Sequence, residues 1–548
     1  MGRKELCGAI NLCLLKEKLK FKLAYNFSAY MKRALILTAA LLFSSPSFTQ
    51  EKIPQEQARQ EESAQKEIYR IAAVNYNAQG ITKESALERN IKIEEGKVFE
   101  SRAALEAYIL DIKQQLINAR LFETSEVNYT LGEQSDEEGA LPVSINVETV
   151  DSKHMLVLPY PMYDSNEGVE LKVKFTDNNF FGTMSEMVAG LRFLFEQKEK
   201  QKNDYVLGGN LEYDFPFSIG KVEASWNNDL SFEYAFVRKE AEWDIQTGLT
   251  LIMPFDIFSL RLDITQGSTR ELEYKEFGDD IYFTEYAKFS VPITLMPLGS
   301  FGDLVLAPAI EFLYNWDVDG INIENEDLLS PKLTFSTELS AGRVDWQGNF
   351  RQGFLASLAP NLSYNFQLNE FQPGVEAQAT AFFAWKHAAL NSRLTIFAQY
   401  NSYRRYGEFL RGVPDDQYFS SQTGMGDMYA CKSAAAIILN IDVPIRLFTT
   451  QFKKGWLKNF NFEVQLSPFI DIALTQNRST GRTFSPKDGF YTCGIELLVF
   501  PEKWKSIQLR ASIGFDMGRI LFKNAVDSSW RDEKSSIKEI SLGVGVFY

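Results

Sequence analysis

The run Ile540-Ser541-Leu542-Gly543-Val544-Gly545-Val546-Phe547-Tyr548 carries an apolar residue at every even position, and small or polar residues at the odd ones until Phe547. A two-residue period of this kind is a strand with one greasy and one non-greasy face. In a soluble domain, an unpaired, aromatic-rich strand edge invites aggregation. In a closed transmembrane barrel the same strand is paired on both sides and turns its apolar face to lipid. This one strand therefore poses the choice between a soluble β protein and a barrel.

The sequence upstream favours the barrel. From residue 168 onward, strand follows strand. Val169, Leu171, Val173 and Phe175 alternate with Glu170, Lys172 and Lys174, and Leu260, Leu262 and Ile264 alternate with Arg261 and Asp263. Charges on one face and aliphatics on the other suit a wet lumen and a lipid exterior. The run divides into about 17 candidate strands. A barrel whose two ends lie on the same side of the membrane needs an even number, so about sixteen antiparallel strands are expected. Aromatic residues make up 14% of the chain although its mean hydropathy is only −0.20. Aromatic girdles around a polar lumen combine these two properties without any long apolar run.

Several classes of function are disfavoured. A net charge of −15 argues against a nucleic-acid partner. The only histidines are His154 and His387, which argues against a multi-histidine metal site. The cysteines Cys7, Cys13, Cys431 and Cys493 form no CxxC pair. Cys431 and Cys493 fall in neighbouring predicted strands, where they either pair in an oxidising compartment or stay as two buried thiols. There is no GxSxG elbow and no phosphate loop. His387 lies near Ser392 in sequence, but no acid–base constellation accompanies it. The expectation is a protein that is not an enzyme and uses no metal or other cofactor.

The amino-terminal part reads as an export signal followed by a tether. Met31-Lys32-Arg33 is a basic region, Ala34 to Phe43 an apolar core, and Ser45 to Thr49 offers small residues for cleavage. The core is too short to span a bilayer. Translation is therefore expected to begin at Met31, with residues 1–30 a mis-called extension and 31–49 the signal peptide. Residues 50–67 are polar and rich in Gln and Glu, as in a solvated linker.

Residues 68–150 change character. A strand from Ile68 is followed by a short helix that Thr82 can cap, a turn at Gly96, and a stronger helix opened by Ser101. In that helix Leu105, Tyr108, Ile109, Ile112 and Leu116 recur at helical spacing. Strands follow at Val127–Leu131 and, past an acidic loop, at Val143–Val147. The predicted order is β-α-α-β-β, a small two-layer α+β domain. Residues 151–167 read as a connector and 168–548 as the barrel.

Gly96-Lys97-Val98-Phe99 and Ala119-Arg120-Leu121-Phe122, in that order of elements, resemble a POTRA domain. Asp177-Asn178-Asn179-Phe180-Phe181-Gly182-Thr183 follows a barrel strand. Leu410-Arg411-Gly412-Val413 sits in a long polar segment, and Phe469-Ile470-Asp471 lies within a strand. The terminal pattern Ser541, Gly543, Val546, Tyr548 is similar to the terminal recognition signal of bacterial outer-membrane barrels. Taken together, residues 68–548 resemble the BamA/TamA (bacterial surface antigen) family of outer-membrane assembly and translocation proteins.

The resemblance implies several things. A V-R-G-F/Y loop folds back into the lumen, where Arg411 meets Asp471 of an F-x-D-x-G motif. Arg411, Gly412, Phe469 and Asp471 then form a lock between loop and barrel. Val413 stands where the family has an aromatic, and Ala473 where it has glycine. The family places this loop before the last five of sixteen strands, and five strands can be read after it, starting near residues 430, 458, 485, 504 and 536. The closing seam is expected between the strand of Val169, Leu171 and Val173 and the strand of Ser541, Gly543, Val546 and Tyr548. The implied location is the bacterial outer membrane, with the small domain in the periplasm. The implied partners are unfolded or exported client proteins, outer-membrane lipid and accessory assembly subunits. A two-partner-secretion transporter and a passive porin-like channel are the alternative readings.

Overall fold

The computed structural model describes residues 67–136, 138–164, 168–196, 204–270, 281–317, 328–413, 432–455, 460–477, 480–527 and 537–545. The expected extension, signal peptide and all but the last residue of the linker lie outside these residues, as do Cys7, Cys13, Cys431, Val546 and Tyr548.

A small α+β domain comes first. Its strands are β1 (Ile68–Gln79), β2 (Val98–Phe99), β3 (Phe122–Leu131) and β4 (Ala140–Asp151), and its helices are α1 (Glu84–Ile91) and α2 (Arg102–Ala119). The sheet order is β2-β1-β4-β3. Strands β1 and β4 run parallel, while β2 and β3 are antiparallel to their neighbours. The two-residue β2 between the helices is an addition to the expected β-α-α-β-β order. Leu105, Ile109, Ile112 and Leu116 of α2 pack on Ile71, Val143, Ile145 and Val147 of the sheet, so the helical and strand periods share one core. The Ser101 side chain caps α2 by accepting from the Ala104 N–H at 3.2 Å. Thr82 does not cap α1, whose N-cap is Lys83 with no side-chain bond. Its hydroxyl instead donates to Asp151 at 2.7 Å.

The remainder is a closed antiparallel barrel. Among the described residues it contains 20 strand segments. Two pairs of segments are halves of single spans. Ile281–Ser290 and Ile293–Pro297 both pair with Asp303–Trp316, and Ala435–Asp442 and Ile445–Thr449 both pair with Phe462–Thr475. The break falls at Val291-Pro292 in one span and Val443-Pro444 in the other, because proline cannot donate to the ladder. The described barrel thus has eighteen spans, thirteen before the Arg411 segment and five after it. The five following strands agree with the sequence reading; the expected total of about sixteen is two short.

One missed span is Met155–Asp164, which falls within the expected connector. Its sequence MLVLPYPMYD carries Pro159 and Pro161, and proline argues against a strand inside a sheet. This strand lies beside the last one, Lys538–Val544, and closes the barrel. Val169, Leu171 and Val173 therefore do not line the seam. They sit one strand further in, opposite Tyr163, Pro161 and Pro159 on one side and Phe195, Phe193 and Leu191 on the other. Ser541 and Gly543 do lie on the closing strand.

The faces alternate as the sequence indicates. Leu171, Leu191, Ile264, Phe312, Phe335, Ile540 and Leu542 are exposed on the outside, as lipid-facing positions require. Arg261, Asp263, Lys288, Glu311, Lys332 and Glu338 line a polar cavity of about 1370 Å³ inside the barrel. No described helix is long and apolar enough to cross a membrane, so any crossing is made by the strands.

The small domain is docked on one rim of the barrel. The Asp177–Thr183 motif forms the turn that receives it. The Lys83 N–H donates to the Gly182 carbonyl at 2.9 Å, and the Asn179 amide donates to Thr82 Oγ1 at 2.7 Å. The Arg89 guanidinium reaches the Thr183 carbonyl at 2.8 Å. Gly182 has φ +71°, and a Cβ there would sit 1.9 Å from the Ile81 carbonyl oxygen. Gly182→Ala therefore combines left-handed strain with a backbone clash. We expect it to loosen the domain, seen as faster proteolytic release of residues 67–151 from an intact barrel. Unchanged release would count against this docking.

Candidate functional site

The segment that follows strand Ala389–Gln399 turns into the lumen. Arg404–Arg405 pairs with Lys432–Ser433 in a two-stranded ribbon, and a 3-10 turn at Gly407–Phe409 leads to Leu410 and Arg411. Tyr406, Phe409, Leu410 and Val413 are buried with Phe397, Ala436, Ile438, Ala473 and Phe490 of the wall. The segment is thus held by apolar packing on both sides of the buried Arg411. Val413 fills this cluster at 1% exposure. Ala473 is fully buried against the same cluster.

Arg411 is 5% exposed. Its Nε and Nη2 donate to the two oxygens of Asp471 at 3.0 and 2.7 Å, a bidentate pair. Its backbone N–H also donates to Asp471, at 3.0 Å. Its remaining Nη1 donates to Asp442 at 2.6 Å. The guanidinium plane lies 3.8 Å from the centroid of the Phe469 ring, which adds a cation–π contact in a water-poor site. Asn440 donates its amide to both the Phe409 carbonyl and Asp471, at 2.7 and 2.8 Å. The structure brings Arg411, Asp471 and Phe469 into direct contact, with Gly412 at the tip of the segment.

Gly412 has a specific task. At φ +84° it lies against the strand Leu509–Asp516, where a Cβ would come within 2.5 Å of the Phe515 nitrogen. Gly514 faces it, and a side chain there would meet Gly412 Cα at 2.6 Å. Gly494 leaves the space that the Phe469 ring occupies. Beyond this contact, the Gly412 N–H donates to Glu539 on the last strand at 2.7 Å. The loop tip therefore touches four of the five final spans directly, through Asp442, Asp471, Gly514 and Glu539, and its segment meets the remaining one where Tyr406 packs on Phe490.

Asp442, Asn440, Glu539, Gly494 and Gly514 were not singled out from sequence. The available signal was weak. Asn440 and Asp442 are polar residues on the alternate face of Ala435–Asp442, the face that Ala436 and Ile438 also share. That pattern marks a lumen face and not a partner.

A second cluster ties the small domain to the rim. Arg120, at the left-handed C-cap of α2 with φ 54°, donates to the carbonyls of Lys505 and Gly348 and to the Asn349 side chain at 2.7, 3.1 and 3.0 Å. Its guanidinium stacks over Trp346 at 4.2 Å. Desolvation pushes the Arg120 guanidinium down to about 10, so it remains charged at neutral pH. Asn118 and Asp111 of α2 reach Asp345 and Arg343 on the same rim. On the opposite flank, Lys92 pairs with Glu223 at 2.8 Å.

Cys493 is a free, half-buried thiol; its expected neighbour Cys431 lies outside the described residues. Among the described residues no cluster of His, Cys, Asp and Glu has the makings of a metal site.

No protein-family model and no curated protein matches the chain. Solved structures with a similar course include BamA from Haemophilus ducreyi lacking POTRA domains 1–3, at 14% identity and TM-score 0.34, with 87% of this chain and 85% of that chain covered. CdiB from Acinetobacter baumannii is similar at 11% identity and TM-score 0.38, covering 87% of this chain and 74% of that one. CdiB from Escherichia coli is similar at 8% identity and TM-score 0.36, covering 94% and 97%. These likenesses are too distant to bear on function.

Proposed function

We propose that this chain is an outer-membrane assembly or translocation factor with one periplasmic POTRA-like domain, acting on unfolded or exported client proteins. The observation that carries the reading is the bond from Gly412 to Glu539. Through it a loop pinned by a buried Arg–Asp pair holds the last strand from inside the lumen. A passive channel has no need of an internal hold on its closing strand, whereas a barrel that opens sideways does. The small domain would capture clients along β3, which pairs with β4 on one side only among the described residues. Such an edge offers main-chain hydrogen bonds without demanding a sequence. The work would be physical rather than covalent, with no cofactor; accessory assembly subunits and membrane lipid would be its other partners.

Passage of an unfolded chain through the lumen, as in a secretion transporter, is the second reading. The polar cavity of about 1370 Å³ favours it. Depleting the protein and quantifying the outer-membrane proteome separates the two. Loss of many barrels supports assembly, and loss of one secreted product supports a dedicated transporter. Unchanged levels of every outer-membrane and secreted protein would sink both.

A further inference from the structure

The hairpin formed by Lys332–Gln347 and Phe350–Asn365 outruns the wall it belongs to. Its first strand pairs with Asp303–Trp316 only as far as Ser340, and its second pairs with Glu370–Ala384 only from Gly353 onward. Beyond those points the two strands continue to pair with each other, from Ala341 opposite Ala356 to Gln347 opposite Phe350. Residues 341–352 thus project as a two-stranded ribbon. One side chain, Gln352, tethers its base by accepting from the Ala384 N–H at 2.8 Å.

The ribbon bends inward, and two glycines permit the bend. Gly342 and Gly353 lie one step apart on the facing strands, at φ +137° and +139°. A Cβ on them would come within 2.2 Å of the Phe354 carbonyl oxygen and 2.1 Å of the Arg343 carbonyl oxygen. Only a residue without a side chain allows both this approach and this backbone angle. The tip consequently reaches wall strands that are not its neighbours. Gln465 donates to the Asn349 carbonyl at 3.2 Å, and the Arg446 guanidinium lies 5.1 Å from the centroid of the Phe350 ring. Gln465 shares the lumen face of Phe462–Thr475 with Phe469 and Asp471. Two whole spans, Glu370–Ala384 and Ala389–Gln399, lie along the wall between the ribbon and the strand of Arg446. The tip therefore cuts across the lumen instead of following the wall.

Helix α2 holds the same tip from the small domain. Asn118 donates to Asp345 and accepts from the Trp346 N–H, both at 2.9 Å. Gln114 donates to the Trp346 carbonyl at 3.2 Å, and Asp111 pairs with Arg343. Positions 111, 114 and 118 share one helix face, so a single face of α2 carries the whole set.

We infer that residues 341–352 are a hinged inner gate of this barrel, pivoting at Gly342 and Gly353 and latched shut by α2. The polar cavity reaches Glu338 on the same strand, roughly 13 Å from Gly342 at the usual rise per residue. In the closed position the tip stands between that cavity and the rim that carries the small domain. When α2 lets go, the ribbon swings into line with its own strands and the route opens. The small domain then acts on the lumen through a part of the wall, and not as a stopper. The inference rests on the closed barrel and holds for either reading of its task.

Access to the cavity tests it. In the purified full-length protein with its native cysteines changed to serine, Glu338→Cys places one thiol in the cavity, and its rate of reaction with a bulky maleimide is measured. Asp111→Ala/Asn118→Ala should raise that rate several-fold while the barrel keeps its compact gel mobility. Trp346→Ala, which breaks the latch from the ribbon's side, should act alike. A benzophenone side chain in place of Phe350 should crosslink under light to Ile445–Thr449, and fixing the tip in this way should return the latch variants to the wild-type rate. Equal rates with and without the latch overturn the gate. A raised rate that survives the crosslink shows that the small domain itself guards the cavity, and overturns it as well. A wild-type chain that does not crosslink at Ile445–Thr449 overturns the closed position of the tip.

Discussion

Arg411→Ala is expected to release the loop from the lumen and weaken the barrel by about 3–5 kcal/mol, the usual consequence of breaking a buried ion pair from one side. The substitution leaves Asp471 and Asp442, 0% and 6% exposed, without their cation. It also removes the guanidinium stacked on Phe469. Asp471 keeps the Arg411 backbone N–H and the Asn440 amide as donors, which do not neutralise its charge. The measurable consequences are a lower temperature of unfolding in a gel-mobility assay and new proteolysis within residues 400–413. Asp471→Asn should reproduce most of the effect, because it destroys the bidentate pair. Asp442→Asn should cost less, because its bond to Arg411 is one-sided through Nη1 and only one of two negative charges is removed. If Arg411→Ala retains the native unfolding temperature and a protected loop, the lock is not what holds this segment.

The second large effect is expected from Arg120→Ala. Arg120 gathers two carbonyls, an amide and an indole ring from separate turns of the rim. A hydrogen bond to a charged donor typically contributes about 1.5–3 kcal/mol, and the contacts share one side chain, so a loss of about 2–4 kcal/mol of docking free energy is reasonable. The Asp177–Thr183 turn would still hold the other flank of the domain. The outcome should be a domain that swings on that turn: faster hydrogen exchange along α2 and at Trp346, with barrel stability little changed. Arg120→Lys should restore little, since an ammonium cannot present the planar fork that spans these acceptors. Equal exchange in wild type and Arg120→Ala would show that Asn118 and Asp111 hold α2 without it.

Alternation along Ser259–Arg270 was legible because a strand's period is two and the barrel has only two environments, lipid and lumen. Arg261 and Asp263 accordingly line the cavity. The α2 core positions were legible because one helix face meets one sheet. Met155–Asp164 was not legible, because proline is evidence against a strand only when both edges are needed. A proline pointing into the seam costs less than one pointing at a fully bonded neighbour. The local sequence permits Thr82 to cap a helix, yet Asp151, distant in sequence but adjacent in space, is the better partner.

The sequence by itself determined the alternating strands, the small α+β domain and the five strands that close the barrel, while the pairing of Arg411 with Asp471 was implied by a family resemblance. The first three follow from local periodicity. Only the tertiary structure decided the eighteen spans, the seam position, the third partner Asp442 and the reach of Gly412 to Glu539. The physical reason is that lumen-facing acids are interchangeable in a strand pattern. Which of them meets a given loop atom depends on how far the loop folds back, and on which glycines let backbone approach backbone.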